Sequence, residues 1–243
     1  MRRGHKRYYY RTDDDSVPMD EAMVRAGYER FHRVADRLEQ LYMLRRSPRR
    51  SGTNGNAGHL VIVPAFAPEY LFEASLDPKK LECTIDSPPP RWAGVSPVWG
   101  RSVGGHGYED RPVVENPERP LRWTRLTFDG VYERYKVRRE SHGRFVGFQP
   151  DIYDVYGHVQ LCGKIYGRLG YHGAVRVHYR VLGATDTGLL RPSQDRDDVP
   201  RYPHREVECS VMSTSEDLRS RPDAAVQQLM DRLWGEYGEE RCW

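Results

Sequence analysis

Two alternating runs carry the most usable chemistry in the chain. Tyr132, Arg134, Lys136 and Arg138 recur at every second position of one β-type run, and Arg176, His178 and Arg180 do so in another. Residues two apart on a strand share a face. Such faces could meet phosphates through their cations and stack a base on Tyr132. The competing expectation is an ordinary solvated sheet face whose lysine and arginine blunt edge pairing. A second candidate is a ligand pocket in the irregular 87–111 region, which holds Trp92, Trp99, His106 and Tyr108. Long loops within compact domains are often functional.

Other motifs fall short. The glycine-rich GRSVGGHG at 100–107 could cradle a phosphate with backbone amides. It lacks the GK[ST] ending of a Walker loop and the strand-to-helix setting of a dinucleotide fingerprint. The histidines 142, 158, 172, 178 and 204 form no HExxH or other i, i+4 pair and are expected to be solvated or hydrogen-bonded structural imidazoles. Ser96 is not a nucleophile elbow, because Val98 stands where the second glycine belongs. Cys83, Cys162, Cys209 and Cys242 are far apart, without CxxC or histidine at ligand spacing, and are expected to be reduced thiols, mostly in the core. No catalytic residue, metal or cofactor is expected.

Charge and composition narrow the partners. Lys+Arg of 38 against Asp+Glu of 35 gives +3, too balanced to announce a nucleic-acid binder without a local patch. A hydrophobic fraction of 38% with 30% charged residues is that of a soluble protein. No apolar run approaches the roughly 18 residues of a membrane span, and MRRGHKRYYYR lacks the apolar stretch of a signal peptide. A cytoplasmic location and no membrane partner are expected.

The elements that must position these groups are read from periodicity. In GYHGAVRVHYRVLGA, Val175, Val177, Tyr179 and Val181 point to a core and the intervening cations to water. HLVIVPA at 59–65 is a buried strand cut short by proline. A short strand is expected around 95–99 and another within 141–148. Residues 121–138 form a hairpin about Asp129-Gly130, expected as a type I′ turn. From Asp151 to Leu169 the pattern is helical; Gly163 and Gly167, four apart, would let another backbone approach closely. Glu206 to Met212 alternates again, and a last helix runs from Pro222 to Gly238. The class is α+β: a mainly antiparallel sheet with helices on one face, preceded by a strand-helix appendage (1–46) and a flexible linker (47–58), with the α+β domain at 59–243.

The appendage has one strand, Lys6 to Arg11, without an evident partner. Its helix, from Pro18 to Arg46, carries Phe31, Val34, Leu38 and Leu41 at near-heptad spacing. That stripe must close on the second domain or on a copy of itself, and the favoured expectation is a homodimer through the 18–46 helix.

KRYYYRTDDDSVPMDEAMVRAGYERF resembles the end of the Schlafen-type, AlbA-like DNA-binding domain of bacterial ATP-binding proteins. There an aromatic strand ending in arginine is followed by a polar turn, a proline-methionine pair and an acidic helix start. Tyr8, Tyr9, Tyr10, Arg11, Ser16, Pro18, Met19 and Glu21 occupy those positions here. The turn departs from the family pattern, with Asp13, Asp14 and Asp15 in place of glycine and small residues. The resemblance covers only the end of that domain. It implies a natural partial homologue or a fragment, acting as a non-enzymatic binding or regulatory module associated with DNA or RNA, with Arg11 as a candidate contact. The alternative is a small-ligand sensor or enzyme using the 87–111 pocket.

Overall fold

The computed structural model describes residues 9–11, 16–18, 36–40, 42, 57–65, 78–83, 99–101, 107–110, 122–137, 145–146, 149–185, 188–189 and 202–238. The strands are β1 (Tyr9–Arg11), β2 (Ser16–Pro18), β3 (Ala57–Pro64), β4 (Trp99–Arg101), β5 (Gly107–Asp110), β6 (Arg122–Thr127), β7 (Tyr132–Val137), β8 (Phe145–Val146), β9 (Ala174–Leu182), β10 (Gly188–Leu189) and β11 (Glu206–Thr214). Residues 36–40 and 42 are helical and are called α1. The later helices are α2 (Gln149–Arg168), α3 (Ser215–Ser220) and α4 (Pro222–Glu236). Among the described residues no helix is long and apolar enough to cross a membrane.

The class is α+β. Seven strands form one sheet in the order β11-β9-β3-β7-β6-β5-β4, every neighbouring pair antiparallel. β3 lies between β9 and β7, so both its edges are paired and both its faces covered. That is why its residues are buried almost without alternation. Leu60 and Ile62 join Val175, Val177, Tyr179 and Val181 of β9 in the larger core, beneath Val155, Val159, Ile165 and Tyr166 of α2 and Val226, Leu229 and Leu233 of α4.

α3, six residues long, is too short to show a helical period in the sequence. Thr214 caps it, accepting a hydrogen bond from the Asp217 amide at 3.0 Å. The Asp217 carboxylate in turn accepts from the Thr214 hydroxyl at 2.8 Å, which holds the capping oxygen in place. The close approach expected at Gly163 is made by this helix. A Cβ on Gly163 would stand 2.4 Å from the Arg219 amide nitrogen, so the backbone of α3 rests on the bare Cα of α2.

Several expectations are corrected. The 121–138 hairpin is present, but Gly130 donates to the Thr127 carbonyl at 2.9 Å and takes φ +86°. The connection is therefore a turn followed by a left-handed glycine bulge, not a type I′ pair. Ala57 and Gly58, taken as the end of the linker, are paired in β3. Pro18 lies in a strand: β1 pairs with β2, so the aromatic strand has a partner seven residues on. β8 pairs in parallel with β10, apart from the main sheet.

The largest correction concerns the second sheet face, expected in water. Leu38 and Tyr42 of α1 bury there against Val61, Val63, Ala65 and Val131. His178 and Arg180 are each only 2% exposed. Helices thus lie on both faces, and Leu38 of the presumed dimer stripe is covered within the single chain. Phe31, Val34 and Leu41 lie outside the described residues.

Candidate functional site

Alternation on β7 and β9 holds, and it aims the basic residues at two different environments. Tyr132, Arg134 and Lys136 face α2. Arg134 is 5% exposed and grips Asp154 of α2 with two nitrogens, Nε to Oδ2 at 3.3 Å and Nη2 to Oδ1 at 3.1 Å. Its remaining nitrogen donates to Thr124 Oγ1 at 3.2 Å. Lys136 Nζ stands 3.7 Å from Asp154 Oδ1. The Tyr132 hydroxyl and His158 Nδ1 are 2.5 Å apart, while His158 Nε2 lies 4.0 Å from Asp154. Burial would push the Asp154 carboxyl up, but Arg134, His158 and Lys136 hold it well below the usual range. Burial and then Arg134 push His158 down to about 3, so its ring is neutral. Asp154 and His158 are four apart on one helix, which corrects the expectation that these histidines form no i, i+4 pair; that spacing is the signal that could have found the cluster.

This cluster is an internal brace. Beside it is a cavity of about 10 Å³, lined by Gly58, Leu60, Arg134, Lys136, Asp154, Val155 and Tyr179, with room for about one water.

The brace carries a pH dependence. Unfolded, His158 titrates near 6.5; folded, it takes up a proton only near 3. Between those values the unfolded chain holds more protons, so stability falls as pH falls. Asp154 adds a loss in the same direction at lower pH, through its depressed carboxyl. Denaturant midpoints are expected to drop between pH 6.5 and 5, His158 contributing about 2 kcal/mol. His158→Gln, which keeps an acceptor for Tyr132, is expected to flatten that slope.

On the other face the cations of β9 are matched by carboxylates. Arg180 Nη2 donates to Glu206 at 2.6 Å, and its Nε lies 3.7 Å from Glu208. Arg176 is 3.6 Å from Glu39 of α1. His178 stacks on the Tyr42 ring, centroids 3.7 Å apart and planes 2° from parallel, with Glu208 at 3.8 Å. Burial pushes the His178 imidazole down, against the opposing pull of the Glu208 carboxylate. Nearby, buried His59 lies 3.6 Å from Glu133. This face has no excess positive charge among the described residues.

The other candidates are placed as follows. Arg11 ends β1, paired with Ser16. Trp99 and Tyr108 are core residues, 7% and 0% exposed, their rings against Tyr132 and Phe128. Arg138, Trp92 and His106 lie outside the described residues. Cys83, Cys162 and Cys209 are buried, and burial pushes the Cys209 thiol up to about 12. Among the described residues no three His, Cys, Asp or Glu side chains are grouped to hold a metal.

One open site was not anticipated. A cavity of about 360 Å³ is lined by Cys83, Lys164, Gly167, Arg168 and Arg219. Lys164 and Arg168 are one turn apart on α2, and Arg219 comes from α3, its guanidinium 3.5 Å from where a Gly167 Cβ would be. Glu216 holds Arg219 by two contacts, at 2.6 and 2.8 Å. Arg168 donates to the Glu82 carbonyl at 2.5 Å, tying α2 to the segment after the 3-10 turn Pro78–Leu81. Three cations from two helices therefore line one cavity, Arg219 being already engaged by the Glu216 carboxylate. The volume falls within the roughly 300–1,000 Å³ of small-ligand sites.

No protein-family model matches the chain, nor does any curated protein or solved structure. The fold and this basic cavity are therefore the ground for function.

Proposed function

We propose that the chain is a non-enzymatic binding module for a phosphate-bearing ligand, with nucleic acid as the source of the phosphate. The observation that carries this reading is the basic cavity, which Lys164 and Arg168 of α2 and Arg219 of α3 line together. Phosphate oxygens accept charge-assisted hydrogen bonds from arginine in pairs, and a phosphate here would add to the contacts these side chains already make, Arg219 with Glu216 and Arg168 with the Glu82 carbonyl. The resemblance of residues 6–31 to the end of a Schlafen-type, AlbA-like domain supports nucleic acid as that anion. A non-enzymatic role is supported by the cluster at Asp154 and His158, whose groups are engaged with one another beside a cavity of about 10 Å³.

Fluorescence anisotropy with single-stranded DNA and RNA, from about 50 to 200 mM salt, tests this. Binding tighter than about 10⁻⁴ M is expected, with an affinity that falls as salt rises by a slope of about two to three released counterions. Weaker binding without a salt slope would remove the nucleic acid from the proposal.

A further inference from the structure

The seven-stranded sheet ends differently at its two edges. β4, at one end, is three residues long. β11, at the other, is nine, and no strand among the described residues pairs with its outer side. Protected edges are commonly short, bulged, or interrupted by lysine or proline. β11 has none of these devices. Glu206 to Thr214 run in step with β9 without a bulge, and EVECSVMST contains neither lysine nor proline.

Hydrogen bonding fixes which backbone groups point outward. Just past the strand, the Ser215 amide donates to the Gly173 carbonyl at 3.0 Å, in the same register that pairs β11 with β9. Bonded pairs alternate along an antiparallel ladder, so the odd-numbered residues of β11 bond to β9 and the even-numbered ones turn N–H and C=O away from it. The Ser210 carbonyl is accordingly reached from outside, by the Arg232 guanidinium of α4. Charged side chains also blunt an edge, but here the carboxylates are turned to the cations of β9. Arg180 holds Glu206 at 2.6 Å, and Arg180 and His178 lie 3.7 and 3.8 Å from Glu208. Met212, on the same face, is 54% exposed, the one large hydrophobic side chain so exposed among the described residues.

Self-complementarity identifies the partner. Ser210 is the midpoint of the strand, so a second copy laid antiparallel about it sets Glu206 opposite Thr214, Glu208 opposite Met212 and Ser210 opposite itself. Each outward N–H and C=O then meets its counterpart, and no two carboxylates, which would repel across the strands, stand opposite one another. A two-fold contact requires this kind of self-matching patch.

We propose that the outer edge of β11 pairs antiparallel with β11 of a second copy of the chain, about a two-fold axis at Ser210, joining the two seven-stranded sheets. Arg232 is a competing guard, which must release the Ser210 carbonyl before the strands join. The contact is independent of the phosphate-binding cavity.

Sedimentation equilibrium across the micromolar range, with folding of each variant verified by its melting temperature, tests this. The wild-type chain is expected to dimerise. Met212→Glu sets a glutamate against Glu208 at both symmetric positions and is expected to weaken the dimer by about 10-fold or more. Ser210→Pro removes an outward amide that the β9 ladder does not use, and is expected to act in the same direction. Arg232→Ala is expected to tighten the dimer. In hydrogen exchange, the amides of Glu208, Ser210 and Met212 are expected to gain protection as concentration rises. A chain that stays monomeric both as wild type and as Arg232→Ala overturns the proposal, as does a dimer whose affinity neither Met212→Glu nor Ser210→Pro changes.

Discussion

Asp154→Ala is expected to lower the unfolding free energy by about 3–5 kcal/mol, the range for removing one partner of a buried ion pair. The magnitude comes from what is left behind rather than from the bond itself. Arg134 is 5% exposed and places two nitrogens on Asp154, so truncation strands a guanidinium between sheet and helix. Lys136, 3.7 Å from the same oxygen, would then face Arg134 without the intervening carboxylate. The pair joins β7 to α2, and its loss is felt by the packing beneath it, where Tyr132 meets His158. Replacing both partners should cost much less: a variant with Arg134→Met and Asp154→Leu removes both charges and leaves apolar groups of similar length. Urea unfolding of the two variants checks this. Equal losses in both would show that the charges contribute little.

Two alanine substitutions four residues apart are expected to change stability in opposite directions. On propensity alone, Gly→Ala inside a helix gains about 1 kcal/mol. At Gly163 the new methyl would stand 2.4 Å from the Arg219 nitrogen and 2.6 Å from the Leu218 carbonyl carbon. Those are backbone atoms of α3, which cannot swing aside as a side chain would. α3 must therefore lift from α2, with a loss of about 3 kcal/mol, the upper part of the usual overpacking range. At Gly167 the nearest atoms are the far end of the Arg219 side chain, at 3.5 Å and beyond, an ordinary contact. Gly167→Ala is expected to stabilise by up to about 1 kcal/mol. Thermal melting of the pair decides: destabilisation of similar size at both positions would contradict the close docking of α3.

The strands and long helices were legible because their apolar spacing is local. Val175 to Val181 and Ile152 to Tyr166 give their periods within one element. What covers a strand's second face is not local, and so the environment of His178 and Arg180 was misread. Alternation says that two faces differ; it does not say that Tyr42, from far upstream, lies over one of them. β7 was misread for a related reason: Arg134 and Lys136 look like a surface until the acid that faces them, Asp154, is brought over by α2. The Gly130 turn depended on a single hydrogen-bond register, which a dipeptide does not specify. The basic cavity was hidden because its cations come from separate stretches, Lys164 and Arg168 from one helix and Arg219 from a six-residue helix with too little length for a period.

The most direct measurement is the affinity of a single-stranded oligonucleotide for the wild-type chain and for Lys164→Glu across a salt series. Lys164 lies at the cavity and outside the Asp154 brace, and the variant is compared with the wild type at a temperature where melting shows both to be folded. A loss of about 10-fold or more at low salt, with the salt slope reduced by about one, is predicted. Unchanged affinity and an unchanged slope in the folded variant would contradict phosphate binding at this cavity.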